Sequence, residues 1–202
     1  MPPSQPAVWG QAGCPPIAAG PATTSTPGVE SAPVVRLVDT NVLVYRVDPR
    51  DPVKQQRATR LIERGIAAES LCVSYQSIVE FVAATTRPLP GLGGRALLPR
   101  QEALLEAESL MRQLAVLHPT PEVLTTGMRG MTMYGISWFD ALIWAAAEVH
   151  GVDELLSEDF QHGRHYGRIR VVDPFLDAEG VHELPAMYRT RGGRPGAGST
   201  GS

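Results

Sequence analysis

Through the middle of the chain, short apolar runs alternate with longer stretches in which apolar residues recur every three or four positions. Residues 34–38 form a β-branched run that stops at Asp39, and residues 42–47 predict a short helix. Residues 53–68, entered through Pro52, place Leu61, Ile62 and Ile66 on one face and predict a longer helix. A strand is expected at 71–74 and a helix at 77–85. Residues 87–98 hold Pro88, Pro90, Gly91, Gly93 and Gly94 and predict a loop. A helix at 99–114, a strand at 115–117 and a helix at 121–134 follow, the last weakened by Gly127 and Gly130. Residues 138–149 form the most regular helical stretch, closed by Gly151, and strands are expected at 154–156 and 169–172. This alternation predicts an α/β fold, a parallel sheet with helices on both faces. In such sheets ligands bind beyond the carboxyl ends of the strands.

Composition adds boundaries. The chain has 202 residues, 43% of them apolar, enough for one domain with a full core and some surplus. Residues 1–33 and 178–202 are rich in Pro, Ala, Gly, Ser and Thr, so both are expected to be disordered around a folded domain at 34–177. A start at Val34 or Val35 would omit the first stretch. With a net charge of −3 the molecule as a whole does not attract nucleic acid, and Lys54 is its one lysine. Cys14 lies in the Pro-rich stretch and Cys72 in an apolar run, a poor pair for a disulfide, so a reduced, cytoplasmic protein is expected. No basic segment precedes an apolar one near the N-terminus, and the most apolar helix is too short to span a bilayer.

Charge becomes informative at four acids: Asp39 in Val-Asp-Thr-Asn, Glu80 in Ile-Val-Glu-Phe, Asp140 in Trp-Phe-Asp-Ala and Asp159 in Ser-Glu-Asp-Phe. Asp39, Glu80 and Asp159 each follow a predicted strand and so belong to one sheet edge. A helix precedes Asp140's own helix, so the sequence alone does not place Asp140 there. Like charges gathered at one edge repel, and a hard divalent cation such as Mg²⁺ or Mn²⁺ offsets that repulsion, which points to metal-dependent phosphate chemistry. Helix capping competes with this reading. Ser77-Ile-Val-Glu80 and Ser137-Trp-Phe-Asp140 both match the Ser-x-x-acid box, and Asp39 or Asn41 could cap the next helix.

Other chemistries fit less well. His118, His150, His162, His165 and His182 lack the spacing of a zinc site, and no glycine-rich phosphate loop follows a strand. Trp138, Phe139 and Trp144 are expected in the core. A haloacid-dehalogenase-type phosphatase would require Asp-x-Asp after the first strand, where this chain has Asp39-Thr-Asn.

Four fragments in order resemble the PIN-domain ribonucleases, and among them the VapC-type toxins of bacterial toxin–antitoxin pairs. They are Leu-Val-Asp39-Thr-Asn-Val-Leu-Val-Tyr, Ser-Ile-Val-Glu80-Phe, Ile-Ser-Trp-Phe-Asp140-Ala-Leu-Ile-Trp-Ala-Ala-Ala and Leu-Leu-Ser-Glu-Asp159-Phe, with Val-Val-Asp-Pro-Phe near the end. The Pro/Gly-rich loop at 87–98 departs from the pattern. The resemblance implies a three-layer α/β/α sandwich with a central parallel sheet that hydrolyses RNA with Mg²⁺ or Mn²⁺. It implies Asp39 and Asp140 as the principal ligands, Glu80 as ligand or water-orienting acid, and Asp159 as a fourth. Asn41 and Ser137 would fix carboxylate orientation. It further implies a homodimer and a cognate antitoxin that blocks the cleft. Arg46, Arg87, Arg164 and Arg168 are candidate phosphate contacts. The alternatives are a PIN-like binding module without activity and a metal-dependent phosphatase.

Overall fold

The computed structural model of the chain describes residues 34–176. The expectations for residues 1–33 and 178–202, including Cys14 and His182, lie outside them. Among the described residues six strands form one sheet: β1 (Arg36–Val38), β2 (Leu71–Ser74), β3 (Ala115–Leu117), β4 (Glu154–Leu156), β5 (His165–Tyr166) and β6 (Ile169–Val172). Their order is β3-β2-β1-β4-β6-β5, with every pairing parallel except the antiparallel pair of β5 with β6. The sheet is therefore mixed, with one antiparallel edge that the apolar pattern does not predict. β5 is two residues long, too short to show a periodicity.

Six α-helices of the described residues accompany the sheet: α1 (Thr40–Tyr45), α2 (Pro52–Ala67), α3 (Tyr75–Thr86), α4 (Arg100–Gln113), α5 (Pro121–Tyr134) and α6 (Trp138–His150). Alternate strand residues face opposite layers. Leu37, Cys72, Leu155, Ile169 and Val171 are buried with Ile143, Trp144 and Ala147 of α6. Val38, Val73 and Leu156 pack instead with Val42, Leu43, Ile62, Phe81 and Leu110 from α1 to α4. Three layers result, as the resemblance implies. Among the described residues no helix is long and apolar enough to cross a membrane.

Gly130, which weakens α5 as a helix, is explained by packing. A Cβ there would stand 2.4 Å from the Trp144 ring, so only glycine lets α5 lie this close to α6. The predicted loop at 87–98 is short-range structure: a 3₁₀ turn at Pro90–Leu92 and an antiparallel bridge between Leu89 and Arg95.

From β1 the chain builds outward through β2 and β3, then returns to place β4 on β1's other side. The carboxyl ends of β1 and β4 thus flank the point where strand order reverses, where a crevice opens in folds of this kind. Asp39 follows β1 directly and Ser157 follows β4.

Candidate active site

Asp39 is buried, 3% exposed, at the switch point, and caps α1 by accepting a 2.5 Å hydrogen bond from the Thr40 N–H. The Ser157 hydroxyl donates to its other oxygen at 2.6 Å, and the Asn41 amide nitrogen to that same oxygen at 3.3 Å. Burial raises the Asp39 pKa to about 7; the bonds from Ser157 and Thr40 work against burial, and the charges of Asp159 and Asp140 add to it. Capping and site are therefore one role here, because the bonds that start α1 also hold the carboxylate in place.

Asn41 joins two acids. Its amide nitrogen donates to Asp39, to the Ser157 hydroxyl at 3.2 Å and to Asp159 at 3.0 Å. Three acceptors on one side fix the amide's orientation. They leave Oδ1 buried without a hydrogen-bond partner. An orphaned buried acceptor is costly and calls for a donor or cation.

Glu80 corrects the sequence expectation. The helix after β2 begins at Tyr75 and is capped by Ser74, whose hydroxyl accepts from the Ser77 N–H at 2.9 Å. Glu80 therefore sits beyond the first turn and cannot complete a capping box with Ser77. Its carboxylate accepts instead from the Thr40 hydroxyl at 2.9 Å and from the Gln76 amide at 2.7 Å.

Ser137 does cap α6, accepting from the Asp140 N–H at 3.2 Å. Its hydroxyl thus fixes Asp140's backbone. The reciprocal bond from the Ser137 N–H to the Asp140 carboxylate is absent among the described residues, so capping leaves that carboxylate free. Ser157, Thr40 and Gln76 hold the carboxylates elsewhere, and none of them is singled out by sequence. The Ser and Thr beside the acids in Leu-Leu-Ser-Glu-Asp and Asp-Thr-Asn were the available signal.

All four acids line one cavity of about 330 Å³, together with Thr40, Asn41, Tyr45, Asp48, Arg50 and Phe139. Asp140 thereby joins the edge at which the sequence could not place it. Phe139 is 60% exposed and lines this cavity, which corrects its expected core position; Trp144 is buried as expected. The basic residue in the wall is Arg50, paired with the buried Asp48. None of the four candidate arginines lines it. Arg46 pairs with Glu106, Arg168 bonds the Glu148 carbonyl at 2.8 Å, Arg164 lies 4.5 Å from the Tyr166 ring centroid, and Arg87 follows α3 in an exposed position.

Among the described residues no three acidic, His or Cys side chains stand close enough to hold one ion as placed. What fits a cation is the donor chemistry: hard oxygens throughout, with the Asn41 Oδ1 unpartnered and a carboxylate at Asp39 that burial and its neighbours strain toward protonation. That set suits Mg²⁺ or Mn²⁺ over softer metals. Lys54, the chain's one lysine, is engaged elsewhere. It pairs with Glu158, bonds the Tyr45 hydroxyl at 3.0 Å and does not line the cavity.

An acid-lined crevice at the switch point of a mostly parallel three-layer sheet defines the class. The PIN domain family model matches residues 36–167, or 132 of 202 residues, and the chain belongs to that family. Ribonuclease VapC24 of Mycobacterium tuberculosis, from strains CDC 1551 / Oshkosh and H37Rv alike, is 27% identical over 147 residues, covering 68% of this chain and 94% of the relative. The crystal structure of DNA-bound VapBC from Salmonella typhimurium matches with a TM-score of 0.50 and 14% identity, over 70% of this chain and 98% of that one. At that identity the likeness shows the fold.

Proposed function

We propose that this protein is an endoribonuclease that uses Mg²⁺ or Mn²⁺ to hydrolyse RNA phosphodiesters, and that it is the toxin of a toxin–antitoxin pair. The observation that carries the reading is the shared cavity of Asp39, Glu80, Asp140 and Asp159, in which Asp39 is buried without a countercharge. A relative named as a ribonuclease supports RNA as the substrate class.

Asp39 and Asp140 are the principal cation holders, Glu80 holds the ion or orients water, and Asp159 is the fourth acid. A bound divalent ion supplies positive charge against the scissile phosphate and an acidified water as nucleophile. The chain's own part is orientation. Ser157 and Asn41 hold Asp39, Thr40 and Gln76 hold Glu80, and Ser137 sets the turn that presents Asp140. No side-chain nucleophile is needed.

The partners in this reading are RNA, a second copy of the chain and an antitoxin that closes the acidic cavity. Incubation with structured RNA and with a small phosphomonoester, each with Mg²⁺, Mn²⁺ or chelator, tests it. Cation-dependent RNA cutting with no phosphomonoester turnover is expected. Phosphomonoester turnover alone, or chelator-resistant cutting, would overturn it. Expression alone should arrest growth, and the antitoxin should relieve the arrest.

A further inference from the structure

A second charged feature lies along α2. A groove of about 410 Å³ is lined by Arg36, Arg57, Arg60, Leu61, Arg64 and Pro174, with no carboxylate among the described residues of the lining. Arg57, Arg60 and Arg64 recur at three- and four-residue spacing and so share one side of the helix. Seven residues of helix rise separate the first from the last, about 10 Å. Arg36 adds a fourth guanidinium from the start of β1. Among the described residues, Arg36, Arg60 and Arg64 make no ion pair, whereas Arg46, Arg50, Arg168 and Arg170 each find an acid.

A chain of contacts links the groove to the acidic cavity. Tyr45 lines that cavity, its ring meets the Phe175 ring at 5.0 Å, and Arg57 donates to the Phe175 carbonyl next to Pro174. Among the described residues of the lining only Leu61 and Pro174 are apolar, so the groove offers little to an apolar peptide side chain. Guanidinium forks in a row match successive phosphates instead.

We propose that this groove is a phosphate track that holds the RNA strand where it enters or leaves the acidic cavity. The proposal rests on the ribonuclease reading and supplies the cationic surface that the acidic cavity lacks. An acidic polypeptide is the competing occupant, and Asp177, Glu179 and Glu183 of this chain follow shortly after Pro174.

The test is RNA binding as a function of salt. A 5′-labelled uridine homopolymer, long enough to span cavity and groove, is titrated by fluorescence anisotropy with the full chain carrying Asp140→Asn to prevent turnover. Each phosphate contact to a single strand contributes about 0.7 to the slope of log affinity against log salt. Adding Arg60→Gln with Arg64→Gln should lower that slope by roughly 1.4 and weaken binding several-fold. Arg60→Lys with Arg64→Lys should keep most of the slope. Arg112→Gln with Arg129→Gln, at exposed positions on α4 and α5, should change it little.

An unchanged slope with a lower melting temperature at low salt would assign the groove to an acidic polypeptide and overturn the proposal. So would an equal fall in the Arg112 and Arg129 control. If the parent cuts RNA while the slope ignores Arg60 and Arg64, only the track fails. If the slope responds but RNA is never cut, the track stands and the reading of the acidic cavity fails.

Discussion

Glu158 and Asp159 are consecutive residues after β4 with opposite surroundings. Glu158 is closed off: Lys54 pairs with it, the Tyr45 hydroxyl donates to it, and the Lys54 ammonium lies 4.4 Å from the Tyr45 ring centroid. Burial alone would lower the Lys54 pKa, but the bonds to Glu158 and Tyr45 outweigh it and hold it above its ordinary value. Asp159 is exposed, bonded to Asn41, and shares a cavity with four other acids, Asp39, Asp48, Glu80 and Asp140. The first cluster is balanced in itself; the second carries net negative charge, and among the described residues its one cationic side chain is Arg50, which Asp48 already neutralises. Balance marks a structural role, and its absence at a concave switch point marks a binding role.

The largest effect expected from this contrast is on activity. Asp140→Asn keeps the α6 cap, since the Ser137 hydroxyl meets the backbone of residue 140, but should lower RNA cleavage by about 100-fold or more, given that even groups behind metal ligands cost 10–100-fold. Single-turnover cleavage measures it. Lys54→Met should leave cleavage per folded molecule within a few-fold of the parent.

Next comes pH. The Asp39 pKa is about 7 in the folded protein against 3.8 as the ordinary value, so the folded state binds the proton more tightly. Cation-free stability should therefore be fully present below about pH 4, decline as pH rises, and level off above about pH 7. The total is at most roughly 4 kcal/mol. Urea unfolding from pH 4 to 8 in chelator checks the sign, and Asp39→Asn should flatten the slope. Cation affinity should run the other way, rising with pH up to about 7, because binding displaces the proton. A parent whose chelated stability rises across this window would contradict the assignment.

The smallest effect belongs to the balanced cluster. Lys54→Met leaves Glu158 with the Tyr45 hydroxyl alone and should cost about 1–3 kcal/mol. Double-mutant analysis with Glu158→Gln should recover part of that loss. If Lys54→Met were neutral to folding and lowered cleavage as Asp140→Asn does, the contrast between the two clusters would fail.

Much of this was legible in the sequence. Periodicity located α2, α4 and α6 closely, and short apolar runs located β1, β2 and β6, because each buries a face whose pattern is written in its own residues. The four acids were legible as residue types. Their convergence was only partly so: Asp140 reaches the cavity through the packing of α6, which no local pattern encodes. Ser74 rather than Ser77 caps α3, since one serine ends the strand, the other follows it, and the backbone alone decides between them. Ser157, Thr40 and Gln76 carry no signal of their own in the sequence, because uncharged polar residues are common and only their placement beside carboxylates gives them work. Phe139 was misplaced in the core because an aromatic in an apolar run reads the same whether it points inward or into a cleft.

The central claim is that these acids hold a divalent cation, and melting temperature tests it without relying on turnover. An ion that binds only the folded state raises the melting temperature by mass action. With chelator present, Asp140→Asn should melt at or above the parent near neutral pH, since one charge repelling Asp39 has been removed. Adding millimolar Mg²⁺ or Mn²⁺ should then raise the parent clearly and leave Asp140→Asn nearly unmoved. Equal shifts in the two proteins, with Asp140→Asn still cutting RNA, would contradict the account.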